Sequence, residues 1–593
     1  MKRILFLSLM VIAVVLCLIT STAGAQDTAL PTIDASKWQY NEADGVYWQV
    51  GISYCANPAD ETYETLGVFV PSAYMNATDN GDGTFTCAID AEATIAGYSA
   101  ATAPIVIPVD TPGYSAMRAP TDYVSTVKSY TDAGFVYVMA GCRGRDAGAP
   151  AGVTDLKAAV RFLRYSAETL PGSTDRIFTF GMSGGGAQSA LVGATGDSAL
   201  YEPYLEAIGA VSGYSDAVTG SMCWCPITNL DTADAAYEWN LGLTRTGLDE
   251  QTQALSDGLV AAYGEYINTL GLTDADGLAL TIDSVEAGIR DTGSYVEAVR
   301  SLIETSLNHF LEDTEFPYTP SSGKGNFGGG RNGMPDLADG EIPDFNGEGP
   351  DGDERGTLPD LNGGQRGERT LTAEDWENGT VDDGIMRMQT QDSAAEAVTY
   401  ETAQAYIDSL NADEPWIVYD SESNTATVTS VEGFVKACKP ATKSVGAFDD
   451  LNCAQGENTL FGYGDGQGAH FDATMATLLE NTEYADAFAN DLARTDALGT
   501  SVETRLLMYT PLYYLNATYD GYQTANVAPY WRIRTGITQG DTALTTEMNL
   551  ALALEAYGAD VDFETIWAQG HVEAERTGSS TENFIAWVNA CLE

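Results

Sequence analysis

Residues 175–186 read Asp-Arg-Ile-Phe-Thr-Phe-Gly-Met-Ser-Gly-Gly-Gly, and this stretch is the most informative about the fold. It predicts an apolar strand at 176–180 and a helix of small residues at 187–193. Between them, Gly-Met-Ser-Gly-Gly at 181–185 is a G-x-S-x-G turn in the strand–turn–helix setting of a nucleophile elbow. Glycine is needed on both sides, because the serine backbone is strained and close packing leaves no room for a Cβ. We therefore predict that Ser183 is a nucleophile; the alternative is a purely structural glycine-rich turn.

A serine nucleophile needs a general base, and the chain has three histidines. His309 lies in a predicted helix and His470 in a glycine-rich loop. His571 follows an alternating strand at 561–567 and precedes a predicted terminal helix at 581–592. A lone histidine is more often structural, but this position after the last strand is that of the base in an α/β hydrolase. His571 is therefore the predicted base.

The acid of a Ser-His-Asp triad should follow the strand before the one that carries the histidine. That strand is predicted at 530–536, and its loop ends at Asp541. Asp541 also precedes a predicted helix at 542–557, so its alternative role is a helix N-cap. A carboxylate beside His571 orients the imidazole and stabilises its protonated form, and we predict that role for Asp541.

Strand and helix patterns alternate on both sides of residues 223–500. Predicted strands that share short apolar or alternating runs lie at 47–54, 64–70, 105–109 and 135–140. An amphipathic helix is predicted at 155–164, and a strand after the nucleophile helix at 207–213. The chain is therefore predicted to have an α/β-hydrolase fold, with a mostly parallel sheet flanked by helices. Residues 26–222 form the first part of the hydrolase core and residues 501–593 the second part.

The region between the two parts, residues 223–500, is predicted to be a mainly helical lid inserted before the acid-bearing strand. Its predicted helices lie at 250–270, 294–311, 395–411 and 474–493. Within it, residues 320–365 are rich in Gly, Pro, Asp and Asn and predict a flexible or long exposed loop. An insertion at this point lies over the carboxyl ends of the strands, where it supplies substrate contacts.

The first 25 residues have the pattern of a signal peptide. A charged start, an apolar core at 4–19 and Ala-Gly-Ala at 23–25 predict cleavage before Gln26. An uncleaved membrane anchor is the alternative. We predict a secreted protein that has no membrane association after cleavage, because no other run is long and apolar enough to span a bilayer.

The remaining eight cysteines allow disulfides in an exported chain. Cys55–Cys87 and Cys438–Cys453 are plausible local pairs, although connectivity cannot be read from sequence. The Cys-x-Cys sequence at 223–225 is neither a redox nor a zinc motif. Because histidine is scarce, no metal and no cofactor are predicted. Two Asp-rich stretches, at 79–83 and 351–353, faintly resemble calcium loops, and the first is better explained as a hairpin turn.

The formal net charge is −57, from 85 acidic and 28 basic residues. Such a surface excludes nucleic acid and anionic membranes as partners. The excess is spread along the chain, so it predicts an acidic coat rather than a binding site. Lysine is scarce, and Lys436, Lys439 and Lys443 stand out as a cluster.

Five blocks of sequence resemble the bacterial tannases, which are tannin acylhydrolases related to feruloyl esterases, with an α/β-hydrolase fold and a lid. The blocks cover most of the chain and lie at 140–145, 155–164 with 181–185, 225–239, 443–449 with 456–462, and 531–571. In this family a lid lysine and a lid glutamate meet the phenolic hydroxyls of a galloyl group. The resemblance implies that Lys443 and Glu457 bind substrate; from the residues alone, a surface ion pair is the alternative.

The chain departs from the family pattern in the acid loop. There the family has two aspartates two residues apart, one for the triad and one for the substrate, and this chain has Gln539 and Asp541. A single carboxylate is left for two roles, which puts galloyl specificity in question more than the hydrolase fold.

The sequence thus predicts a secreted serine esterase that acts on small phenolic esters, of gallate or a hydroxycinnamate. The backbone N–H of Gly184 is the predicted oxyanion donor, with a second N–H from Gly113 or Tyr114. The alternatives are a general carboxylesterase or serine peptidase of the same fold, and a catalytically inactive binding protein.

Overall fold

Short, mostly buried apolar runs form the strands of the protein, whose computed structural model describes residues 30–320 and 398–593. β-Branched and aromatic side chains favour this extended, packed state. The strands are Gln39–Asn41 (β1), Val46–Ser53 (β2), Thr65–Pro71 (β3), Met75–Asp79 (β4), Phe85–Ile89 (β5), Thr94–Ile95 (β6), Tyr98–Ser99 (β7), Ile105–Val109 (β8), Val136–Ala140 (β9), Ile177–Met182 (β10), Gly220–Trp224 (β11), Ile417–Asp420 (β12), Thr425–Val428 (β13), Tyr530–Gly536 (β14) and Asp560–Ile566 (β15).

Nine of the described strands form one sheet, in the order β1-β2-β3-β9-β8-β10-β11-β14-β15. The pairs from β9 through β15 are parallel, and the pairs from β1 to β9 are antiparallel. Because parallel strands end at the same edge of a sheet, the loops after β8, β10, β14 and β15 share one edge. Those loops carry Gly113, Ser183, Asp541 and His571.

Helices flank the sheet and form most of the region between β11 and β14. The α-helices are Lys128–Asp132 (α1), Ala151–Tyr165 (α2), Gly184–Ala194 (α3), Glu202–Ala207 (α4), Ala233–Leu241 (α5), Glu250–Leu270 (α6), Ser294–Asp313 (α7), Ala403–Leu410 (α8), Val431–Cys438 (α9), Gly456–Leu460 (α10), Ala473–Leu478 (α11), Ala485–Leu492 (α12), Val502–Met508 (α13), Pro511–Leu515 (α14), Leu544–Tyr557 (α15) and Ser580–Leu592 (α16). The described residues lie in one compact unit. The layered arrangement is that of an α/β-hydrolase-like fold.

The predicted strand at 207–213 is wrong. The chain there leaves α4 and turns at Gly209 and Gly213, whose φ angles of 66° and 79° are incompatible with an extended strand. The strand that follows the nucleophile helix is β11, which is buried along its whole length. The predicted limit between the first core part and the insertion, at 222/223, falls inside this strand.

Two predicted helices of the insertion are shorter than expected. The segment at 474–493 is divided into α11 and α12, because the Thr482 hydroxyl donates to Leu479 O at 2.7 Å and accepts from Tyr484 N at 3.2 Å. A side chain that bonds the backbone in this way competes with the helix. Helix α8 begins at Ala403 rather than at 395. The predicted loop at 320–365, apart from residue 320, the Asp-rich stretch at 351–353 and the predicted signal peptide lie outside the described residues.

The predicted disulfides are wrong, since all eight described cysteines are free. The backbone of Cys55, beyond the end of β2, forms an isolated antiparallel β-bridge with Ala210. The Cys55 thiol lies 3.8 Å from the Glu64 carboxylate. Cys87 lies on β5, which pairs with β4 in a separate hairpin. Residues 80–84 form the turn of that hairpin, so the Asp- and Gly-rich stretch at 79–83 lies at a hairpin turn, as predicted. Among the described helices, none combines the length and the apolarity that crossing a membrane requires.

Candidate active site

Ser183 is located at the sharp turn between β10 and α3. Its backbone has φ 60° and ψ −125°, a conformation that non-glycine residues rarely adopt. Its N–H donates to Trp224 O at 2.9 Å, and its carbonyl accepts from Ala187 N at 2.9 Å. The residue is 6% exposed. The strand–turn–helix geometry predicted for this stretch is confirmed.

The glycines beside Ser183 are required by the backbone of the neighbouring strand β8. A Cβ on Gly181 would come within 2.5 Å of Val109 O, and one on Gly185 within 2.0 Å of the same oxygen. Real Cβ atoms do not approach a carbonyl oxygen so closely. The two glycines therefore allow the turn to pack directly on β8, which holds Ser183 at the sheet edge.

Gly184 and the loop after β8 are in direct contact at the turn. A Cβ on Gly184 would lie 2.4 Å from Tyr114 N and 3.1 Å from Gly113 N. As the first residue of α3, Gly184 has an N–H without an intrahelical acceptor. Tyr114 N–H already donates to Thr111 O at 2.9 Å. Gly113 N–H is therefore the better candidate than Tyr114 for the second oxyanion donor.

His571 follows β15 and shares the sheet edge with Ser183. The loop that carries it packs on the residue after β11, because the Cys225 thiol donates to Val572 O at 3.3 Å. The preceding residue, Trp224, is the one that accepts from Ser183 N. The end of β11 thus links the serine turn to the histidine loop.

Two side chains approach His571 Nδ1. Gln539 Oε1 lies at 3.1 Å and Asp541 Oδ2 at 3.6 Å. An amide oxygen only accepts hydrogen bonds, so Nδ1 carries the proton and Nε2 is the free basic nitrogen. Burial lowers the pKa of His571, the Asp541 carboxylate opposes that effect, and Lys443 and Lys439 add to it. A lowered pKa favours the neutral imidazole, which is the form that a general base requires.

Gln539 and Asp541 differ in burial. Gln539 is 2% exposed, whereas the Asp541 side chain is 30% exposed. The predicted pairing of Asp541 with His571 is present as a contact at ion-pair distance, and the hydrogen bond to Nδ1 is made by Gln539. The role of Asp541 as triad acid remains a prediction.

Behind Gln539 lie two buried ionisable side chains that the sequence predictions did not include in the site. Glu547, on α15, accepts from Gln539 Nε2 at 2.8 Å, and Lys439 Nζ donates to Gln539 O. Burial raises the pKa of Glu547 and lowers that of Lys439. The sequence did contain a signal that could have identified Glu547, because this acidic residue lies in a largely apolar helix, between Leu544 and Met548. A carboxyl group in such a position needs a buried partner.

The predicted substrate residue Lys443 lies close enough to His571 for its charge to lower the histidine pKa. Its Nζ lies 4.2 Å from the centroid of the Phe448 ring, and its backbone N–H donates to Tyr237 Oη at 3.1 Å. Within residues 30–320 and 398–593, no carboxylate forms a salt bridge with it. The described residues therefore do not contain the surface ion pair between Lys443 and Glu457 that was the alternative interpretation.

Glu457 lies on α10, which packs against the 112–114 segment. It is 3% exposed, and no hydrogen bond to its carboxylate is found in the described part of the chain. Burial raises the pKa of Tyr114, and the charge of Glu457 adds to that rise, so the carboxylate lies near the oxyanion loop. The structure thus places Lys443 on the His571 side and Glu457 on the Gly113 side of the candidate site.

Comparisons with known proteins agree with the α/β-hydrolase-like fold. Residues 96–255 match the BD-FAE family model, which is feruloyl esterase-like. The tannin acyl hydrolase from Lactobacillus plantarum is 25% identical, with a TM-score of 0.64, and the match covers 95% of this chain and 99% of that chain. A tannin acyl hydrolase in complex with ethyl gallate is 26% identical, with a TM-score of 0.63 and coverage of 95% and 99%.

The tannase from Fusobacterium nucleatum, at 23% identity, has a TM-score of 0.63 and coverage of 94% and 98%, and it supports the fold alone. No curated protein matches the sequence. The resemblance to bacterial tannases and feruloyl esterase-like proteins, expected from the sequence, is confirmed over most of the chain.

Proposed function

We propose that this protein is a serine esterase that hydrolyses esters of phenolic acids, of the galloyl or feruloyl type. The observation that carries the proposal is the strained elbow at Ser183, in a chain that resembles bacterial tannases over most of its length. The matched tannin acyl hydrolase structures include complexes with ethyl gallate and 3,4-dihydroxybenzoate. A small phenolic ester is therefore the proposed substrate.

In the proposed reaction, Ser183 Oγ attacks the ester carbonyl while its proton passes to His571 Nε2. The oxyanion is held by the N–H groups of Gly184 and Gly113. The C–O bond to the alcohol then breaks, and the alcohol leaves with the proton from Nε2. Water repeats the cycle on the acyl-enzyme and releases the phenolic acid. No metal or cofactor takes part.

In this proposal, the two functions of the usual triad acid, orienting the histidine and supplying a negative charge, belong to two residues. Gln539 accepts the Nδ1 hydrogen bond and orients the ring. Asp541, at 3.6 Å, supplies the negative charge that stabilises the imidazolium once His571 has accepted the proton. This division of the two roles is supported by the burial of Gln539 and the partial exposure of Asp541.

Lys443 and Glu457 are the proposed contacts for the phenolic hydroxyls. Glu457 is 3% exposed as a residue, and its carboxylate accepts no hydrogen bond from the described residues, so it is free to accept one from a phenolic O–H. Lys443 contributes a cation near His571. Both come from the region 223–500, for which we propose the role of a lid over the sheet edge.

We also propose that the protein is secreted after cleavage before Gln26.

The test is hydrolysis of methyl gallate beside methyl ferulate, for the wild type and for Ser183→Ala. We expect the variant to lose activity on both esters, by about 10⁶-fold in kcat, as for other serine triads. Preference for gallate supports galloyl contacts at Lys443 and Glu457, and preference for ferulate assigns the enzyme to the feruloyl type. Turnover that survives in Ser183→Ala contradicts the proposal.

The remaining alternatives are separated by two further assays. A general carboxylesterase or a serine peptidase would prefer an aliphatic ester or a peptide amide over the phenolic ester. An inactive binding protein would not react with a serine-directed fluorophosphonate. Gln539 in the position next to His571 is the observation that favours this second alternative, and labelling of Ser183 would exclude it.

A further inference from the structure

We propose that Glu547 is a positioning residue, which fixes the Gln539 amide so that its oxygen faces His571. The inference rests on the proposed serine esterase function, in which His571 must present an unprotonated Nε2. The relay runs from His571 Nδ1 through Gln539 to the Glu547 carboxylate, and none of these groups except His571 exchanges a proton.

The geometry of the relay is a continuous chain of two hydrogen bonds through one side chain. Gln539 Oε1 lies 3.1 Å from His571 Nδ1, and Gln539 Nε2 lies 2.8 Å from Glu547 Oε1. Thr535 Oγ1 lies 3.3 Å from the same Glu547 oxygen. Gln539, Glu547 and Thr535 are all at most 2% exposed, so water does not compete for these bonds.

An amide at this position has a difficulty that a carboxylate does not have. A carboxylate offers an acceptor to Nδ1 in either orientation, whereas a glutamine side chain turned by 180° offers an N–H donor instead. In the turned state Nδ1 would have to accept, and the proton would move to Nε2. That tautomer cannot take the proton from Ser183, and the wrong tautomer costs about 10⁴-fold in kcat in a triad with an amide in place of the acid.

Glu547 removes this difficulty in its ionised form, because an ionised carboxylate only accepts hydrogen bonds. Burial raises the carboxyl pKa to about 7, and the charge of Lys439 opposes that rise and favours the ionised form. The turned amide would place its oxygen against the carboxylate, which is repulsive. The partner of Glu547 therefore has to be the Gln539 N–H group, and the amide oxygen is left for His571. Lys439 contributes by donating to the backbone carbonyl of Gln539 and by offsetting the buried charge.

The hydrogen bonds of Glu547 fall on one of its two oxygens, Oε1, which accepts from Gln539 Nε2 and Thr535 Oγ1. Its Oε2 has no hydrogen-bond partner among the described residues, so the carboxylate is only partly satisfied by its surroundings. A buried carboxyl that serves packing alone would be expected to have both oxygens paired. The second contact of Gln539 Nε2, with Thr535 Oγ1 at 3.4 Å, does not select one amide orientation, because a hydroxyl both donates and accepts.

The experiment compares Glu547→Met, which removes the acceptor, with Glu547→Gln, which keeps the shape and removes the charge. Glu555→Gln, on the exposed face of the same helix, is the matched control. For Glu547→Met we expect kcat on a phenolic methyl ester to fall severalfold with KM unchanged, in proportion to the fraction of the population that adopts the inactive tautomer. Glu547→Gln should fall less, and Glu555→Gln should equal the wild type.

The decisive readout is the tautomer of His571, measured by ¹⁵N NMR of the protein labelled at histidine. The chain has three histidines, so His309→Gln and His470→Gln assign the signals by elimination. We expect the Nδ1–H form in the wild type and in Glu555→Gln, and a mixture of both forms in the two Glu547 variants. A purely structural effect of Glu547 would lower activity without moving the tautomer.

The outcomes separate this inference from the proposed function. An unchanged kcat in both Glu547 variants, or a lowered kcat with a wholly Nδ1–H His571, overturns the role of Glu547. If Glu547→Met fails to fold, Glu547→Gln answers the same question. A wild type that hydrolyses no ester and resists the fluorophosphonate overturns the esterase proposal, while the tautomer measurement still decides whether Glu547 orients Gln539.

Discussion

The serine side of the site, residues 181–185 with 111–114, is held by backbone, whereas the histidine side is held by side chains. Around Ser183, main-chain atoms meet so closely that a Cβ on either flanking glycine would strike a carbonyl oxygen. Around His571, the contacts are side-chain hydrogen bonds and charges from one distant segment of the chain, where Gln539 and Asp541 meet the histidine and Glu547 meets Gln539. The serine side therefore tolerates almost no added atoms. The histidine side tolerates replacement of a side chain when another side chain can make the same hydrogen bond or supply the same charge.

Apart from the loss of the nucleophile in Ser183→Ala, the largest effect is expected from a methyl group on the serine side. Gly184→Ala would place a Cβ 2.4 Å from Tyr114 N and 2.6 Å from Thr111 O, which separates the two oxyanion donors. We expect kcat to fall by about 10³-fold, as when an oxyanion donor is lost. The matched control is Gly570→Ala beside His571, where an added Cβ meets nothing within 4 Å. Equal losses in both variants would contradict the contrast between the two sides.

A smaller effect is expected from Asp541→Asn on the histidine side. The hydrogen bond from Nδ1 to Gln539 survives in this variant, and only the charge at 3.6 Å is lost. We expect kcat to fall by about 10²-fold, which is less than the ~10⁴-fold loss when the sole triad acid becomes an amide. A ~10⁴-fold loss would instead show that Asp541 is the sole triad acid and that the hydrogen bond to Gln539 does not contribute.

The substrate contacts should change KM more than kcat. Lys443→Met and Glu457→Gln are each expected to raise KM for methyl gallate by about tenfold, close to 1.4 kcal/mol of lost binding. Methyl benzoate, which lacks the phenolic hydroxyls, serves as the control substrate and should be unaffected. An equal effect on both esters would mean that these side chains do not meet the hydroxyls.

The smallest effect is a displacement of the pH profile. The base works when neutral, and burial lowers the pKa of His571, so the acid limb of kcat/KM should lie below pH 6.5. Asp541→Asn removes a charge that raises this pKa and should move the limb to lower pH. Lys443→Met removes a charge that lowers it and should move the limb to higher pH. Shifts in the same direction would show that these two charges do not act on His571.

The strands next to the site were largely predictable from the sequence. Apolar runs bounded by turn residues located β8, β10, β14 and β15 within about two residues. The strand β11 was missed, because Gly220–Trp224 begins with Gly and Ser and lacks β-branched apolar residues, and the apolar residues at 207–213 presented a competing pattern. Local hydrophobicity does not distinguish a strand from a loop that contains apolar residues, and the glycine conformations at 209 and 213 decided the difference.

By itself, the sequence determined the elbow at Ser183, the chain order of the candidate site and the resemblance to tannases, because these depend on residues adjacent in the chain. Only the tertiary structure decided which group meets His571 Nδ1, that Glu547 lies behind Gln539, and that the eight described cysteines are free. Those contacts join residues that are far apart in sequence or on separate elements. A hydrogen bond of about 3 Å depends on how whole helices and strands pack, and no local pattern encodes that distance.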